Sequence, residues 1–190
     1  RRGAGEAPVR LQIPTLTIDT VIEAVGRDAD GAMGIPAQVD NVAWYAPGYL
    51  PGELGNAVIA GHLDRANGAP AIFWSIDKLT VGDPVIVTTA DGTQYHFAVT
   101  HLETYPYDQA PIEAIFGFSL RSQLNLITCK GQWNSGQRNY SNRLVVYSEL
   151  VETVRDAGMW GSGSSPVIFY SSAPPLPHTL TPSLPIPEPN

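Results

Sequence analysis

Apolar and polar residues alternate in short runs along most of the chain, and Gly, Pro, Asn and Asp separate the runs. Period-two alternation bounded by turn residues is typical of β-strands, and closely spaced strands of this kind indicate a β-sandwich or a barrel. The pattern predicts strands at residues 9–13, 16–18, 57–60, 84–89, 94–100, 124–129 and 143–147. The sequence therefore predicts an all-β domain.

Three connecting segments have patterns of their own. Asp91-Gly92 lies between two β-rich runs, and because glycine supplies the positive φ of a tight turn, a hairpin is predicted there. Short helices are predicted at residues 71–79, where apolar residues recur near a 3.6-residue period, and at 111–116, which begins with a proline suited to a first helical turn. Residues 31–55, rich in Gly, Pro and aromatic residues, are predicted to form a long ordered loop.

The character of the sequence changes after the last predicted strand. Residues 151–160 are predicted to form a final short helix, and residues 174–190 are dominated by proline. A chain of 190 residues is long enough for one domain and a tail. The expected division is an N-terminal extension at 1–8, a β-barrel domain at 9–150, and a C-terminal helix and proline-rich tail at 151–190.

The net charge and the length of the apolar runs limit the kinds of partner that the chain is expected to bind. The formal net charge is −7, so the basic surface that binds phosphate backbones is missing, and nucleic acid is not expected as a partner. The apolar runs are as short as strands, and a bilayer-spanning helix needs about 20 apolar residues, so no such helix is expected in this sequence. The chain begins with Arg1 and not with Met, which suggests a piece of a longer protein.

Cys129 is the single cysteine, and it follows an apolar run at residues 124–128 and precedes a polar stretch that contains glycine. A thiol at the end of a strand is expected at the rim of a domain. One cysteine can form neither an internal disulfide nor a metal site with several cysteines, so no metal is predicted. Cys129 is therefore either a buried, inert thiol or a reactive one, and the side chains around it determine which of the two it is.

Two residues could act with Cys129. His62 follows an apolar run at a Gly-His corner, and an imidazole beside a thiol can raise the thiolate fraction and later protonate a leaving amine. Arg143 begins the strand after Cys129, where a hairpin would set the two side by side and the guanidinium could stabilise an oxyanion. The other histidines are predicted to be structural: His96, His101 and His178.

Three motifs in this order resemble the sortase superfamily over roughly residues 10–150. They are Ala60-Gly61-His62, Leu126-Ile127-Thr128-Cys129 and Asn142-Arg143-Leu144-Val145-Val146. Sortases have a T-L-x-T-C signature at the cysteine, and this sequence matches it except for Asn125 in place of the first Thr. Residues 58–64, 79–83 and 127–131 are most similar to the class F sortases.

The resemblance implies a closed eight-stranded β-barrel with short connecting helices and a cysteine transpeptidase that needs no cofactor. Cys129 would attack the Thr–Gly carbonyl of an LPxTG-like sorting signal and form a thioacyl intermediate, with His62 as acid and then base. Arg143 would steady the oxygen, and Thr128 would contact the substrate or the oxyanion. An amine nucleophile, such as a cell-wall precursor or a pilin lysine, would resolve the thioester.

The resemblance also implies a location. Sortases act at the extracellular face of the bacterial cell membrane, so an N-terminal transmembrane anchor is expected outside this sequence. Membrane contact is expected only through that anchor.

Two alternatives remain open at this point. The first is a non-catalytic β-barrel adhesion or wall-binding module, in which Cys129 is buried and unreactive and the tail is a linker. The second is a cysteine hydrolase of another family, although such nucleophiles usually lie at a helix N-terminus, which residues 124–129 do not resemble.

The tail contains a motif like the expected substrate. Leu176, Pro177, His178 and Thr179 match L-P-x-T, and Leu180 follows where a sorting signal has Gly. This segment is either a pseudo-substrate that docks in the groove of the enzyme or a proline-rich spacer that contains the motif by chance.

Overall fold

Strands dominate the computed structural model, which describes residues 6–29, 31–136, 139–155 and 169–170. The strands are β1 (Pro8–Ile13), β2 (Ile18–Val25), β3 (Val42–Tyr45), β4 (Gly55–Gly61), β5 (Pro84–Thr89), β6 (Gln94–Pro106), β7 (Ser122–Asn134), β8 (Asn139–Val154) and β9 (Phe169–Tyr170). One short α-helix, α1 (Ile112–Phe116), and two 3-10 turns, Pro14–Leu16 and Ile76–Lys78, connect them.

Eight of these strands close into a barrel. Neighbouring strands follow the order β6-β5-β1-β2-β3-β4-β7-β8, and β8 pairs again with β6. The pairs β2–β3 and β4–β7 are parallel and the others are antiparallel, with β9 added to the outer end of β8. This confirms the all-β domain predicted from the sequence pattern and the closed eight-stranded barrel implied by the resemblance to sortases.

Alternation along the strands separates two apolar clusters. Inward-facing side chains fill the barrel, among them Leu11, Ile59, Val87, Phe97, Leu126 and Val146. On β7 the intervening Ile127 faces outward, because successive side chains of a strand point to opposite faces. There it joins a second cluster with Val58 of β4 and Val145 of β8. The outer face of β4, β7 and β8 is thus apolar as well.

The helix α1 covers part of this outer face. It has five residues and is too short to be stable alone, so its position depends on tertiary contacts. Ile115 is buried against the outer cluster, the amide of Asn125 donates to the Ile115 carbonyl over 2.7 Å, and the amide of Asn56 donates to the Gly117 carbonyl over 3.0 Å. Asn125, which departs from the sortase signature, therefore anchors α1. None of the helices in the described ranges is long and apolar enough to cross a membrane.

Two local predictions agree with the structure. The Asp91-Gly92 hairpin joins β5 and β6. Gly92 has a φ of +85°, a backbone conformation that glycine adopts more readily than other residues. The helix predicted at residues 111–116 is α1.

The prediction of a strand at residues 16–18 was wrong. Pro14 starts a 3-10 turn that ends at Thr17 with a φ of +57°, so the chain reverses there and β2 starts at Ile18. The helix predicted at 71–79 is reduced to the 3-10 turn at Ile76–Lys78. The apolar spacing arises because Phe73, which precedes this turn, and Ile76, which begins it, both pack into the barrel interior.

Two longer segments also differ from their predictions. The predicted loop at 31–55 contains β3, whose four residues are buried and pair with β2 in parallel. The helix predicted to begin at Val151 is wrong over its first turn, because β8 continues to Val154 and pairs with Gln94–His96 at the start of β6. Barrel closure thus overrides the local helical pattern. Residues 156–160 of that prediction lie outside the described residues.

Candidate active site

The β7–β8 ladder brings Cys129 and Arg143 together. The Cα atoms of these residues are direct partners in the antiparallel register, so their side chains lie on one face. Cys129 comes two residues after Ile127 and Arg143 two residues before Val145, which places both on the outer face, beyond the apolar cluster. The predicted proximity of Cys129 and Arg143 is therefore present in the fold.

His62 reaches the same place from the neighbouring strand. β4 runs parallel to β7 with Ala60 opposite Ile127, and His62 follows directly after β4 ends. His62 and Cys129 both line an open pocket of about 450 Å³. Gly61 is required before His62 because a Cβ there would lie 2.5 Å from the Phe73 ring. The Phe73 amide also donates to the His62 carbonyl over 2.9 Å, which fixes the corner.

Thr128 faces the opposite side of β7 from Cys129. It is 3% exposed, and its hydroxyl donates to the Gly61 carbonyl over 2.9 Å. The side chain thus ties the end of β7 to the corner that carries His62. Contact of Thr128 with the substrate or the oxyanion stays a prediction.

The guanidinium of Arg143 is held by its own hairpin. Its Nη2 donates to the side-chain oxygen of Asn139 over 2.6 Å, and its Nη1 donates to the Asn142 carbonyl over 3.0 Å and the Tyr140 carbonyl over 3.3 Å. Because neutral acceptors hold the group, its positive charge is not cancelled and acts on the thiol.

Opposing influences set the pKa of the Cys129 thiol. Burial is the largest and raises the pKa, the positive charge of Arg143 lowers it, and the negative charge of Asp64 raises it, with a net increase. The thiol form is therefore favoured at neutral pH, and the reactive thiolate must be made by transfer of a proton to a base. His62 is the imidazole in the same pocket.

The lining of the pocket also includes Asp64, Trp133 and Tyr140, which the sequence did not identify as site residues. The Tyr140 hydroxyl donates to Asp64, and this hydrogen bond is the main reason that the pKa of Tyr140 rises to about 12. The rings of Trp133 and Tyr140 form an edge-to-face pair with centroids 5.2 Å apart. Asp64 could have been found from its position two residues after His62. Trp133 and Tyr140 depend on the β7–β8 register.

A family model described as a sortase domain matches residues 11–151. The chain belongs to the sortase family. No curated protein matches the chain significantly.

Solved sortase structures share the fold of this sortase. The chain is 22% identical to sortase A from Corynebacterium diphtheriae, covering 78% of this chain and 63% of that one, with a TM-score of 0.58. Sortase A of Listeria monocytogenes is 19% identical, with 79% and 90% covered and a TM-score of 0.58. Sortase E1 from Streptomyces coelicolor, solved with a tripeptide in its active site, is 21% identical, with 78% and 90% covered and a TM-score of 0.58.

The other histidines of this sortase have different surroundings. His96 lies within β6, where its Nε2 is 3.3 Å from the side-chain oxygen of Gln94, and His101 stacks on the Tyr147 ring with centroids 4.3 Å apart. Neither lines the pocket with Cys129. The tail motif at Leu176, Pro177, His178 and Thr179 lies outside the described residues. Among the described residues, no group of three or more His, Cys, Asp and Glu could hold a metal ion.

A second, larger cavity lies beside α1. It has a volume of about 870 Å³, and its lining includes Tyr45 and Met33 opposite Phe116 of α1. The same three side chains belong to the outer apolar cluster that contains Ile127. The apolar cluster therefore extends along the outer face of this sortase from the cavity toward Cys129, although Val58 and Val145 within it are buried and Ile127 is half-buried.

Proposed function

We propose that the chain is a cysteine transpeptidase that cleaves an LPxTG-like sorting signal between Thr and Gly and transfers it to an amine, for anchoring of surface proteins. The observation that carries the proposal is that Cys129 and His62 line one pocket while Arg143 is the register partner of Cys129. Nucleophile, base and oxyanion-stabilising group then come from three adjacent strands.

In the first half of the reaction, His62 takes the Cys129 proton and the thiolate attacks the carbonyl carbon of the Thr–Gly bond. Arg143 stabilises the negative oxygen of the tetrahedral intermediate. The C–N bond breaks as the His62 imidazolium protonates the leaving amine, which leaves a thioacyl group on Cys129. In the second half, an amine nitrogen attacks the thioester carbonyl, His62 takes the proton that this nitrogen loses, and the C–S bond breaks to release the Cys129 thiolate.

One apolar side chain of the outer face is open enough to contact a peptide beside the thiol. Ile127 is half-buried and lies two residues before Cys129 on the same face of β7, so an extended peptide whose Thr–Gly bond meets the thiol would place a preceding residue near it. The neighbouring Val145 is fully buried and belongs to the layer beneath. Sortase E1 from Streptomyces coelicolor has been solved with a tripeptide in its active site, which supports a peptide substrate for this chain.

The finer assignments belong to the proposal too. We infer from the sequence motifs that the protein is a class F sortase. We infer from the family that it acts at the extracellular face of the bacterial cell membrane. The amine would be a cell-wall precursor or a pilin lysine.

Cys129→Ala and His62→Ala test the mechanism. Each should abolish ligation of an LPxTG-like peptide to an amine, read by mass spectrometry, because members of a catalytic unit fail together. The matched controls His96→Ala and His101→Ala remove imidazoles outside the pocket and should keep most activity.

Two results would overturn the mechanism. One is appreciable ligation by Cys129→Ala. The other is a wild-type thiol that resists alkylation at alkaline pH in the folded protein, as the non-catalytic adhesion module would require.

A further inference from the structure

The carboxylate of Asp64 lies in the pocket with Cys129 and His62, where its charge is a disadvantage for the first half of the reaction. It raises the pKa of the Cys129 thiol and so opposes formation of the thiolate. It also repels the oxyanion that forms on attack. A negative charge that hinders formation of the thioester could instead favour the second half of the reaction, in which an amine attacks the thioester.

The charge of Asp64 has no cationic partner among the described residues. The basic side chains around the pocket bind elsewhere: Arg65 with Asp40, Lys130 with Asp77, and Arg143 with Asn139. The Tyr140 hydroxyl is a neutral donor to Asp64, so it orients the carboxylate without cancelling its charge. The pocket thus presents a negative group to whatever enters it.

Two aromatic rings lie beside this carboxylate. Trp133 and Tyr140 line the same pocket as an edge-to-face pair, and the Trp133 side chain is 56% exposed. Faces of Trp and Tyr rings attract cations, and a carboxylate accepts hydrogen bonds from an ammonium group. A carboxylate with two rings is therefore suited to a small organic ammonium ion.

We propose that Asp64, with Trp133 and Tyr140, forms the subsite that captures the acceptor amine as its ammonium ion. This inference rests on the proposed transpeptidase function. The bound ammonium loses one proton to water, and its nitrogen attacks the thioester carbonyl carbon. The new C–N bond forms, the C–S bond breaks, and the second proton passes to the neutral imidazole of His62. Cys129 leaves as the thiolate beside the His62 imidazolium.

Competition between aminolysis and hydrolysis tests the subsite. The full chain is given an LPxTG-like peptide with either glycinamide, which is largely an ammonium ion at neutral pH, or hydroxylamine, which is largely uncharged. Mass spectrometry measures the fraction of ligated product at each nucleophile concentration. Asp64→Asn should raise the glycinamide concentration needed for half ligation about tenfold, as loss of a charged hydrogen bond predicts. The corresponding concentration for hydroxylamine should shift far less.

Two further variants make the result specific. Asp19→Asn removes an equal charge from the exposed pair with Arg10 on β1 and should leave both nucleophile curves unchanged. Trp133→Ala should raise the half-ligation concentration of glycinamide about threefold, from the loss of the cation–π contact. Because Trp133 is exposed, this variant is expected to fold, and thermal unfolding of all variants checks this point.

The outcomes separate the two proposals. If the thioester on Cys129 forms but Asp64→Asn shifts neither curve, or shifts both equally, the amine subsite is overturned and the transpeptidase stands. If the wild type forms no thioester with LPxTG-like peptides, the transpeptidase is overturned and the amine subsite with it.

Discussion

Cys129 lies near one positive and one negative side chain, Arg143 and Asp64, and its reactivity depends on their combined effect on the pKa of the thiol. Burial and Asp64 favour the neutral thiol, whereas Arg143 favours the thiolate, and the net effect is a raised pKa. The thiolate fraction is therefore small at neutral pH and grows as the pH rises toward the pKa. In the proposed mechanism, Cys129 would therefore depend on a base and on the bound substrate for activation.

Alkylation of the free enzyme by iodoacetamide across a pH series measures this balance. Arg143→Met removes the influence that lowers the pKa of Cys129, so its labelling profile should move to higher pH. Asp64→Asn removes an influence that raises the pKa, so its profile should move to lower pH. Arg143→Lys keeps the charge and should label nearly as wild type, yet turn over poorly, because a point charge cannot replace a planar fork. Superimposable profiles for all four proteins would contradict this account.

At the scale of elements, the parallel pair β4–β7 sets the distance between His62 and Cys129. One strand ends before His62 and the other carries Cys129, and the Thr128 hydroxyl joins their ends through the Gly61 carbonyl. The position of the imidazole thus depends on a hydrogen bond on the inner side of the barrel wall.

Thr128→Val and Thr128→Ser separate positioning from stability. Thr128→Val keeps the shape but loses the hydroxyl, and should cost about 1 kcal/mol of unfolding free energy and about tenfold in kcat through displacement of His62. Thr128→Ser loses a buried methyl group at a similar cost of about 1 kcal/mol, yet keeps the hydrogen bond and should keep most of kcat. Denaturant unfolding and ligation rates measure both. Equal kcat values in the two variants would show that the Thr128 hydroxyl does not position His62.

At the scale of the whole molecule, the pairing of β4 with β7 and of β7 with β8 makes their outer sides one continuous face, whose apolar layer is largely buried. The site lies at one end of this surface, and α1, held by two buried asparagines, covers another part. The sequence of the tail at residues 175–180 contains Leu and Pro in the order of the sorting signal proposed as the substrate.

Removal of the tail tests whether it inhibits the enzyme. A tethered mimic competes at high effective concentration, and Leu180 in place of Gly should make it a poor substrate. Deletion of residues 174–190 should therefore raise the rate or lower the apparent KM for peptide, and Leu176→Ala with Pro177→Ala should do the same. Identical kinetics and equal labelling of Cys129 in truncated and full-length protein would identify the tail as a spacer only.

The sequence by itself determined the strand-rich character, the hairpin at Asp91-Gly92 and the short helix after Pro111. Alternation and turn residues are local signals, so these elements could be read without the fold. Cys129, His62 and Arg143 could be selected because the order of their motifs is visible in the sequence. The predicted strand limits at Cys129 and Arg143 were wrong, because β7 continues to Asn134 and β8 begins at Asn139. Their catalytic roles stay predictions.

Only the tertiary structure decided which strands pair and what surrounds the thiol. The strand character of β3 and of the end of β8 comes from partners distant in sequence, which overrode loop-like and helix-like local patterns. The meeting of Asp64 and Tyr140 likewise depends on the corner after β4 and the β7–β8 hairpin. The hydrogen bond between Asp64 and Tyr140 and the effect of nearby charges on Cys129 both depend on distances in space. These distances are fixed by the closed barrel and cannot be read from the order of residues alone.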